Sequence, residues 1–198
     1  MIKAVIFDLN GVFLKSRYLT DRLEEKYGVR AEKILPVLKE VMAIAQKPGV
    51  EDSFTLWKPK LAKLGIKVSR EEFFDLWFSG EELAHGGPLF VKELKDKGLK
   101  LFVLSNNFKE RTEYYRIRFA DFFSRFDGVY FSHETGFVKP DPGAYQNILF
   151  KNGLSPENCV YFDDSEKNVA MAQGLGIRAQ KYDGLLEMKK FLRKLGAG

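Results

Sequence analysis

Acidic and polar side chains stand at the ends of three short apolar runs in this sequence. The run AVIF is followed by Asp8, the run LFVL by Ser105 and Asn106, and the run VYF by Asp163 and Asp164. Such runs are typical of strands covered on both faces, as in a parallel sheet. Ligands of open α/β sheets bind in the crevice outside the carboxyl ends of the strands. We therefore expect these side chains to meet in one crevice.

A lysine, Lys139, completes this set of side chains. It lies in GFVKPDPG, a loop that two prolines hold just before a predicted helix. Three clustered carboxylates repel one another unless a cation neutralises them, and a few hard oxygen ligands favour Mg²⁺. A carboxylate can attack phosphorus once Mg²⁺ and a lysine have withdrawn charge from the phosphoryl group. Ser105 and neighbouring backbone N–H groups would hold another phosphoryl oxygen.

The elements that must position these side chains alternate along the chain. Helical patterns between the apolar runs begin near a proline and end at a glycine, as from Pro88 to Gly98. Asp141 is a candidate N-cap, with Pro142 next to it. The pattern predicts an α/β fold, a doubly wound, Rossmann-like parallel sheet of five strands with right-handed crossovers. The strands are expected at 3–9, 99–105, 128–132, 159–164 and 176–182.

Residues 16–87 interrupt this alternation, because they contain four helical patterns and no convincing strand. Ser69 and Glu72 form a capping box at the start of the fourth pattern. We predict an inserted all-helical cap at 16–87, with the core formed by 1–15 and 88–198. The size of the aromatic side chains in this segment favours the core of a helical bundle over a ligand-stacking surface. These aromatic residues are Phe54, Trp57, Phe73, Phe74, Trp77 and Phe78.

Composition and charge bear on the class of partner and on location. The formal net charge is +5, but basic residues are interspersed with acids and do not cluster as in a groove that tracks nucleic-acid phosphates. No stretch approaches the ~20 apolar residues of a membrane span, and no secretory signal is visible. The single cysteine, Cys159, fits a reducing compartment. We expect a cytoplasmic protein with a small anionic partner, and neither a nucleic-acid nor a membrane partner.

Four motifs, in order along nearly the whole chain, resemble those of the haloacid dehalogenase superfamily. VIFDLNGV is similar to its first motif, a strand followed by Asp-x-Asp and a small turn, and LFVLSNN to its second, a strand ending in Ser or Thr. VKPDPGAY matches the third motif through Lys139, and VYFDDSEKNVAMA matches the acidic fourth motif. The helical insertion lies where this family places its cap of the first type. The resemblance implies a phosphatase-like hydrolase that acts on a small phosphate ester.

The resemblance also implies roles for the residues that handle the phosphoryl group. Asp8 would be the nucleophile that forms an aspartyl-phosphate. Lys139 would pair with both Asp8 and the phosphoryl group. Ser105 would bind phosphate, and Asn106 lies close enough in sequence to contact the phosphate or the substrate.

A second set of roles concerns the metal. By the same resemblance, Asp8 and Asp164 would ligate Mg²⁺ directly, and Asn10 would contribute its backbone carbonyl. Asp163 would act on the metal directly or through a water molecule.

Asn10 is the point at which the chain departs from the family pattern. Phosphatases of this family usually have a second aspartate there, which protonates the leaving oxygen and then activates the water that splits the aspartyl-phosphate. A side-chain amide has no proton that titrates near neutral pH, so it can do neither. A positioned acid–base group typically contributes ~10²–10⁴-fold to a rate. Of the two histidines, His85 and His133, either is a candidate for the missing group.

Three functions are compatible with Asn10. The first is a phosphatase whose substrates have leaving groups that need little protonation. The second is a catalytically weak or inactive relative that acts as a phosphate- and metal-binding protein or as a regulatory protein. The third is a metal-independent 2-haloacid dehalogenase, because a departing halide needs no proton. Asp163 and Asp164 disfavour it, since dehalogenases of the family have neutral residues in that motif and a tyrosine where Asn10 stands.

Overall fold

A computed structural model describes residues 1–197 of the chain. Within these residues the chain forms seven strands, and five of them build one parallel sheet, as predicted. From edge to edge, the sheet has the order β5-β4-β1-β6-β7. The strands are β1 (Ala4–Phe7), β2 (Leu14–Lys15), β3 (Glu82–Leu83), β4 (Lys100–Ser105), β5 (Gly128–Phe131), β6 (Cys159–Asp163) and β7 (Arg178–Lys181).

Helices cover both faces of this sheet. A short 3₁₀ turn at Pro156–Asn158 precedes β6. The α-helices of residues 1–197 are α1 (Leu19–Tyr27), α2 (Ala31–Ala45), α3 (Phe54–Lys63), α4 (Arg70–Phe78), α5 (Gly87–Asp96), α6 (Lys109–Arg118), α7 (Ala120–Phe123), α8 (Ser132–Thr135), α9 (Pro142–Lys151), α10 (Glu166–Gly174) and α11 (Leu185–Lys194).

The core has two layers because side chains alternate across a strand. Val5 and Phe7 of β1 pack in one buried cluster with side chains of α5 and α11, whereas Ala4 and Ile6 pack in a second cluster with α9 and α10. All four β1 residues are buried. The continuous apolar run therefore reflects a central strand of a doubly wound sheet, as the sequence predicted.

A third buried cluster belongs to the helical segment α1–α4. It contains the six aromatic side chains named above, and all of them are buried. Ser69 accepts a hydrogen bond from the Glu72 backbone N–H, and the Glu72 carboxylate accepts one from the Ser69 backbone N–H, which confirms the predicted capping box. The assignment of residues 16–87 to a cap remains our proposal.

The expectation that residues 16–87 contain no strand was wrong. β3 pairs antiparallel with β2, with Leu14 opposite Leu83 and Lys15 opposite Glu82. A strand of two residues is too short for a hydrophobic period to appear in the sequence. This ribbon joins the two ends of the helical segment where it leaves and rejoins the rest of the chain.

The first turn of α6 makes the closest polar contacts between the helical segment and the sheet-bearing part. The backbone N–H and hydroxyl of Ser53 donate to the Glu110 carboxylate at 2.6 and 2.8 Å. Phe108, which precedes α6, belongs to the buried cluster of α1–α4. In the described residues no helix is long and apolar enough to cross a membrane.

Candidate active site

The order of the strands brings the predicted acidic residues to one edge of the sheet. β1 lies between β4 and β6, and Phe7 is paired in register with Val103 and with Phe162. Asp8 and Asp163, the next residues along β1 and β6, are therefore neighbours. Carboxylate oxygens of Asp8, Asp163 and Asp164 all lie within 4.8 Å of one another. The structure thus gathers the three carboxylates that the sequence singled out.

Lys139 is buried in the middle of this cluster. Its Nζ donates to Asp8 Oδ1 at 2.8 Å, to Asp163 Oδ2 at 2.7 Å and to the Tyr161 hydroxyl at 3.1 Å. Burial opposes the charged form of Lys139, but the negative charges of Asp8 and Asp163 outweigh this effect and raise its pKa. Lys139 therefore stays an ammonium ion that touches Asp8.

Asp163 is surrounded by hydrogen-bond donors. Besides Lys139, its carboxylate accepts hydrogen bonds from the Tyr161 hydroxyl, from the Ser165 backbone N–H at 2.8 Å and from Asn168 Nδ2 at 3.0 and 3.1 Å. Burial alone would raise the pKa of Asp163, but the charge and hydrogen bond of Lys139 hold it below its ordinary value. These contacts suit Asp163 to holding Lys139 in position.

The pKa values of Asp8 and Asp164 are shifted in the direction opposite to that of Asp163. Burial, with the nearby charge of Asp163, raises the pKa of Asp8 from 3.8 to about 6 although Lys139 acts in the opposite direction. Burial and the charge of Asp163 also raise the pKa of Asp164. One ammonium group does not balance three carboxylates, so this site favours an additional cation.

The donor set fits Mg²⁺. Mg²⁺ prefers oxygen ligands and commonly binds one or two carboxylates together with water and phosphate oxygens. Asp164 is exposed and Asp8 lies beside it, whereas the oxygens of Asp163 are already occupied by donors. Asp8 and Asp164 are thus the carboxylates with free coordination capacity.

Gly11 allows the close approach of the Asp164 carboxylate. Gly11 has φ = +86°, and a Cβ atom at this position would lie 2.4 Å from Asp164 Oδ2. Only glycine combines this backbone conformation with the space that Asp164 needs. The small turn after Asp8 therefore has a specific steric function.

Ser105 and Asn106 follow β4 but differ in their surroundings. The Ser105 hydroxyl is buried and has no hydrogen-bond partner within residues 1–197. A buried hydroxyl without a partner is costly, so this atom is suited to an incoming acceptor such as a phosphoryl oxygen. Asn106, expected near substrate, instead donates to the Lys139 carbonyl and accepts from the Lys139 backbone N–H, both at 2.8 Å. These contacts support a role in fixing the Lys139 backbone.

Asn10 is held by two side chains that the sequence did not indicate. Its Nδ2 donates to the Tyr115 hydroxyl at 2.7 Å, and its Oδ1 accepts from Asn107 Nδ2 at 3.1 Å. Tyr115 is buried, and burial raises its pKa. An aromatic residue in the charged sequence KERTEYYRIR gives no sign of this contact, because it depends on how α6 packs against the loop after β1.

Neither histidine contacts the carboxylate cluster in the described residues. His85 is exposed in the turn before α5. His133 lies on α8, with its Nε2 at 2.8 Å from Thr112 Oγ1, and burial lowers its pKa. The structure gives no support to either histidine as a replacement for the missing acid.

A cavity of about 550 Å³ lies beside the carboxylate cluster, between it and the helical segment. Asn10, Gly11 and Asp164 line it together with residues of the helical segment, among them Trp77. Trp77 is thus both a member of the aromatic core and a wall of this cavity. Asp164 is the carboxylate of the cluster that lines this cavity.

Comparison with known proteins gives a family and several relatives. A family model described as a haloacid dehalogenase-like hydrolase matches residues 2–176. Phosphatase MT3486 of Mycobacterium tuberculosis is 36% identical, over 92% of this chain and 88% of its own length. A phosphorylated carbohydrates phosphatase of Thermotoga maritima is 28% identical, over 89% of this chain and 82% of its own length. Mouse acyl-CoA dehydrogenase family member 10 is 26% identical over 91% of this chain, which spans 18% of that relative's length.

Solved structures of one bacterial protein show the same fold. The HAD family enzyme bt-2542 of Bacteroides thetaiotaomicron superposes with a TM-score of 0.82 at 20% identity, over 97% of this chain and 98% of that chain. Its complex with magnesium and inorganic phosphate superposes with a TM-score of 0.76 at 21% identity, over 91% and 94% of the two chains.

Proposed function

This chain belongs to the haloacid dehalogenase-like hydrolase family, and from that premise we propose that it is a magnesium-dependent phosphatase of small phosphate esters. The contact that carries this proposal is the buried ion pair between Lys139 and Asp8, inside a cluster of three carboxylates. Relatives with the name phosphatase along nearly the full length of the chain support the reaction type.

Asp8 is the proposed phosphoryl acceptor. One of its carboxylate oxygens forms a bond to phosphorus while the bond between phosphorus and the ester oxygen breaks, which leaves an aspartyl-phosphate and an alkoxide or phenoxide. Lys139 stabilises the negative charge of the phosphoryl group through its ammonium, and the Ser105 hydroxyl donates to another phosphoryl oxygen. Water then attacks the aspartyl-phosphate, releases inorganic phosphate and restores the Asp8 carboxylate.

The proposed magnesium ligands are the carboxylates of Asp8 and Asp164 and the backbone carbonyl of Asn10. When bound there, Mg²⁺ would neutralise charge on the carboxylates and on the transferring phosphoryl group. Asp163 keeps Lys139 oriented towards Asp8 through the hydrogen bonds described above. Asn106 fixes the backbone of the loop that carries Lys139.

Asn10 limits this proposal to substrates with good leaving groups. Its side chain cannot give a proton to the departing oxygen, so aryl phosphates are expected to react faster than alkyl phosphates. The second candidate is a weak relative that binds phosphate and metal, because the same amide cannot activate the water that discharges Asp8. A 2-haloacid dehalogenase is less consistent with the carboxylate cluster, which favours a cation.

Three further features complete the proposal. Residues 16–87 are a cap that covers the crevice and contributes to substrate choice. The partner is a small-molecule phosphate ester, with no nucleic-acid or membrane partner. The composition with a single cysteine supports a cytoplasmic location.

Release of phosphate from para-nitrophenyl phosphate, with and without Mg²⁺, tests the proposed function. We expect magnesium-dependent turnover, and we expect Asp8→Asn to reduce it by at least about 10⁴-fold, since removal of a nucleophile typically has effects of this size. Acid-quenched samples should contain a phosphoryl adduct on the peptide that includes Asp8. Asp96→Asn, an exposed position on α5, is the matched control and should keep full activity.

Three outcomes separate the alternatives. Absence of turnover with normal binding of phosphate and Mg²⁺ would identify the binding protein. Halide release from a 2-haloacid without metal would identify the dehalogenase. Activity that survives Asp8→Asn would contradict the proposed nucleophile.

A further inference from the structure

The cavity beside the carboxylate cluster has an apolar wall formed by the helical segment. Leu38 and Met42 are four residues apart on α2, so they lie on the same face of that helix, and both line the cavity. Leu19 of α1 and Trp77 of α4 extend this wall. We define the apolar wall as Leu19, Leu38, Met42 and Trp77.

Charged side chains around the cavity are either paired or exposed. Arg111 is bound by the buried Glu81 carboxylate, and its guanidinium lies 5.7 Å from the centroid of the Trp77 ring. Arg17 pairs with Glu25 at 2.8 Å, and Lys15 is exposed on β2. Arg111 and Arg17 thus have partners and Lys15 is exposed, whereas the residues of the apolar wall line the same cavity as Asp164.

An apolar wall discriminates between substrates by the polarity of the organic group. A hydroxyl buried against it loses its hydrogen bonds to water and gains none, which is unfavourable. A methylene group buried there gains the transfer free energy from water, equivalent to about fourfold in affinity. The volume of about 550 Å³ is within the usual range for small-molecule sites.

We propose that the natural substrate is a phosphate ester with an apolar organic group, of the aryl class whose leaving group needs little protonation, and that this group packs on the apolar wall. This inference rests on the proposed function, because it assigns the substrate class of the same site. The phosphoryl group lies at Asp8, and the organic group extends from there through the cavity towards α2. A sugar or nucleoside phosphate would leave unpaired each hydroxyl that it packs against this wall.

Binding of alkylphosphonates tests the substrate class without requiring turnover. Methyl-, butyl- and octylphosphonate are titrated in the presence of Mg²⁺, with inorganic phosphate as the reference ligand without an organic group. We expect the affinity relative to phosphate to rise by about twofold to fourfold per methylene until the cavity is filled. A hexose phosphate, titrated into the Asp8→Asn variant, is expected to bind no more tightly than methylphosphonate binds to that variant.

Variants of α2 locate the effect on the apolar wall. The double substitution Leu38→Ser and Met42→Ser is expected to remove most of the dependence on chain length. Leu35→Ser and Ile44→Ser are matched controls, because both residues are exposed on the same helix and neither lines the cavity. Cooperative unfolding shows that the double variant is folded. If it does not unfold cooperatively, the single substitution Leu38→Asn is used in its place.

The results distinguish failure of the substrate class from failure of the proposed function. Any of three results would overturn the apolar substrate class. The affinity is independent of the chain length of the phosphonate, or a hexose phosphate binds as tightly as octylphosphonate. The third result is the same dependence of affinity on chain length, that is, the same slope, in the double variant and in the controls. If the slope is present but no ester releases phosphate, the apolar site stands and the phosphatase proposal fails. If esters are hydrolysed but the slope is absent, only the substrate class fails.

Discussion

At the scale of single residues, the side chain at position 10 is fixed by its neighbours. The amide of Asn10 lies between the Tyr115 hydroxyl and Asn107 Nδ2, and it makes one hydrogen bond to each. A carboxylate of the same shape can accept from both, because a tyrosine hydroxyl rotates to donate or to accept. The surroundings of Asn10 are therefore compatible with aspartate.

Asn10→Asp is expected to increase the rate with alkyl phosphates. The new carboxyl group can protonate the leaving oxygen and activate water, contributions that typically amount to ~10²–10⁴-fold. With aryl phosphates the first effect should be smaller, because a phenoxide leaves without protonation. The measurements are kcat/KM for an alkyl and an aryl phosphate and the amount of phosphoryl adduct on Asp8, which should fall.

Asn152→Asp is the matched control for this substitution. Asn152 Nδ2 also donates to a tyrosine hydroxyl, that of Tyr130, at 2.8 Å, but it lies at the end of α9 and outside the cavity. It should leave the ratio of alkyl to aryl rates unchanged. An unchanged ratio in Asn10→Asp as well would show that another group already transfers the proton.

The chemical types of the site residues could be predicted, but their contacts could not. The sequence places Asp8, Asp163 and Asp164 at strand ends, and the topology of a parallel sheet is enough to bring them together. The hydrogen bonds of Asn106 to the Lys139 backbone join residues 33 positions apart in the chain, and the contact of Asn10 with Tyr115 joins residues 105 positions apart. A pattern of neighbouring residues in the sequence does not predict hydrogen bonds between residues so far apart.

At the scale of elements, α6 joins the helical segment to the sheet through its first turn. Glu110 on this turn is buried, and its two oxygens accept from the backbone N–H and the hydroxyl of Ser53 at the start of α3. The Arg111 guanidinium binds Glu81, which follows α4. Two consecutive residues of α6 thus contact the helical segment at two places, before α3 and after α4.

Glu110→Ala is expected to lower the free energy of unfolding by about 1–3 kcal/mol, since it leaves the buried backbone N–H of Ser53 without its acceptor. Alanine has no side-chain oxygen that could accept this hydrogen bond. Urea denaturation monitored by circular dichroism measures the change. Glu113→Ala, at an exposed position of the same helix, is the control and should change stability by no more than about 0.5 kcal/mol. Equal losses in both variants would contradict a joining role for Glu110.

Elements with a local signal could be predicted from the sequence, whereas elements defined by distant contacts could not. The capping box of Ser69 and Glu72 is encoded within four residues, and it forms as expected. α6 has a highly charged sequence, and β2 and β3 are too short to show alternation. These elements are stabilised by contacts with parts of the chain that are far away in sequence.

At the scale of the whole molecule, both tryptophans lie in the helical segment, and this gives a direct test of cooperativity. Trp57 and Trp77 are the two tryptophans of the chain, and both are buried in the cluster of α1–α4. Far-UV circular dichroism, in contrast, reports on all helices and on the sheet. The contacts of α6 with the helical segment are expected to make the two parts unfold together.

Denaturation curves followed by tryptophan fluorescence and by circular dichroism should therefore have the same midpoint and the same slope. Trp77→Phe and Trp57→Phe, measured separately, show whether each probe reports the same transition. A fluorescence transition at lower denaturant than the circular dichroism transition would mean that the helical segment unfolds independently.

The steric requirement at Gly11 has a consequence for how this protein can change over generations. The hydrogen bonds at position 10 are compatible with asparagine and with aspartate, so we expect a substitution there to alter proton transfer while the fold stays intact. At position 11, any other residue would place its Cβ 2.4 Å from Asp164 Oδ2 and would displace this carboxylate. Two adjacent positions thus differ in the substitutions that they tolerate. A mutational library for new reactivity should vary position 10 and keep glycine at position 11.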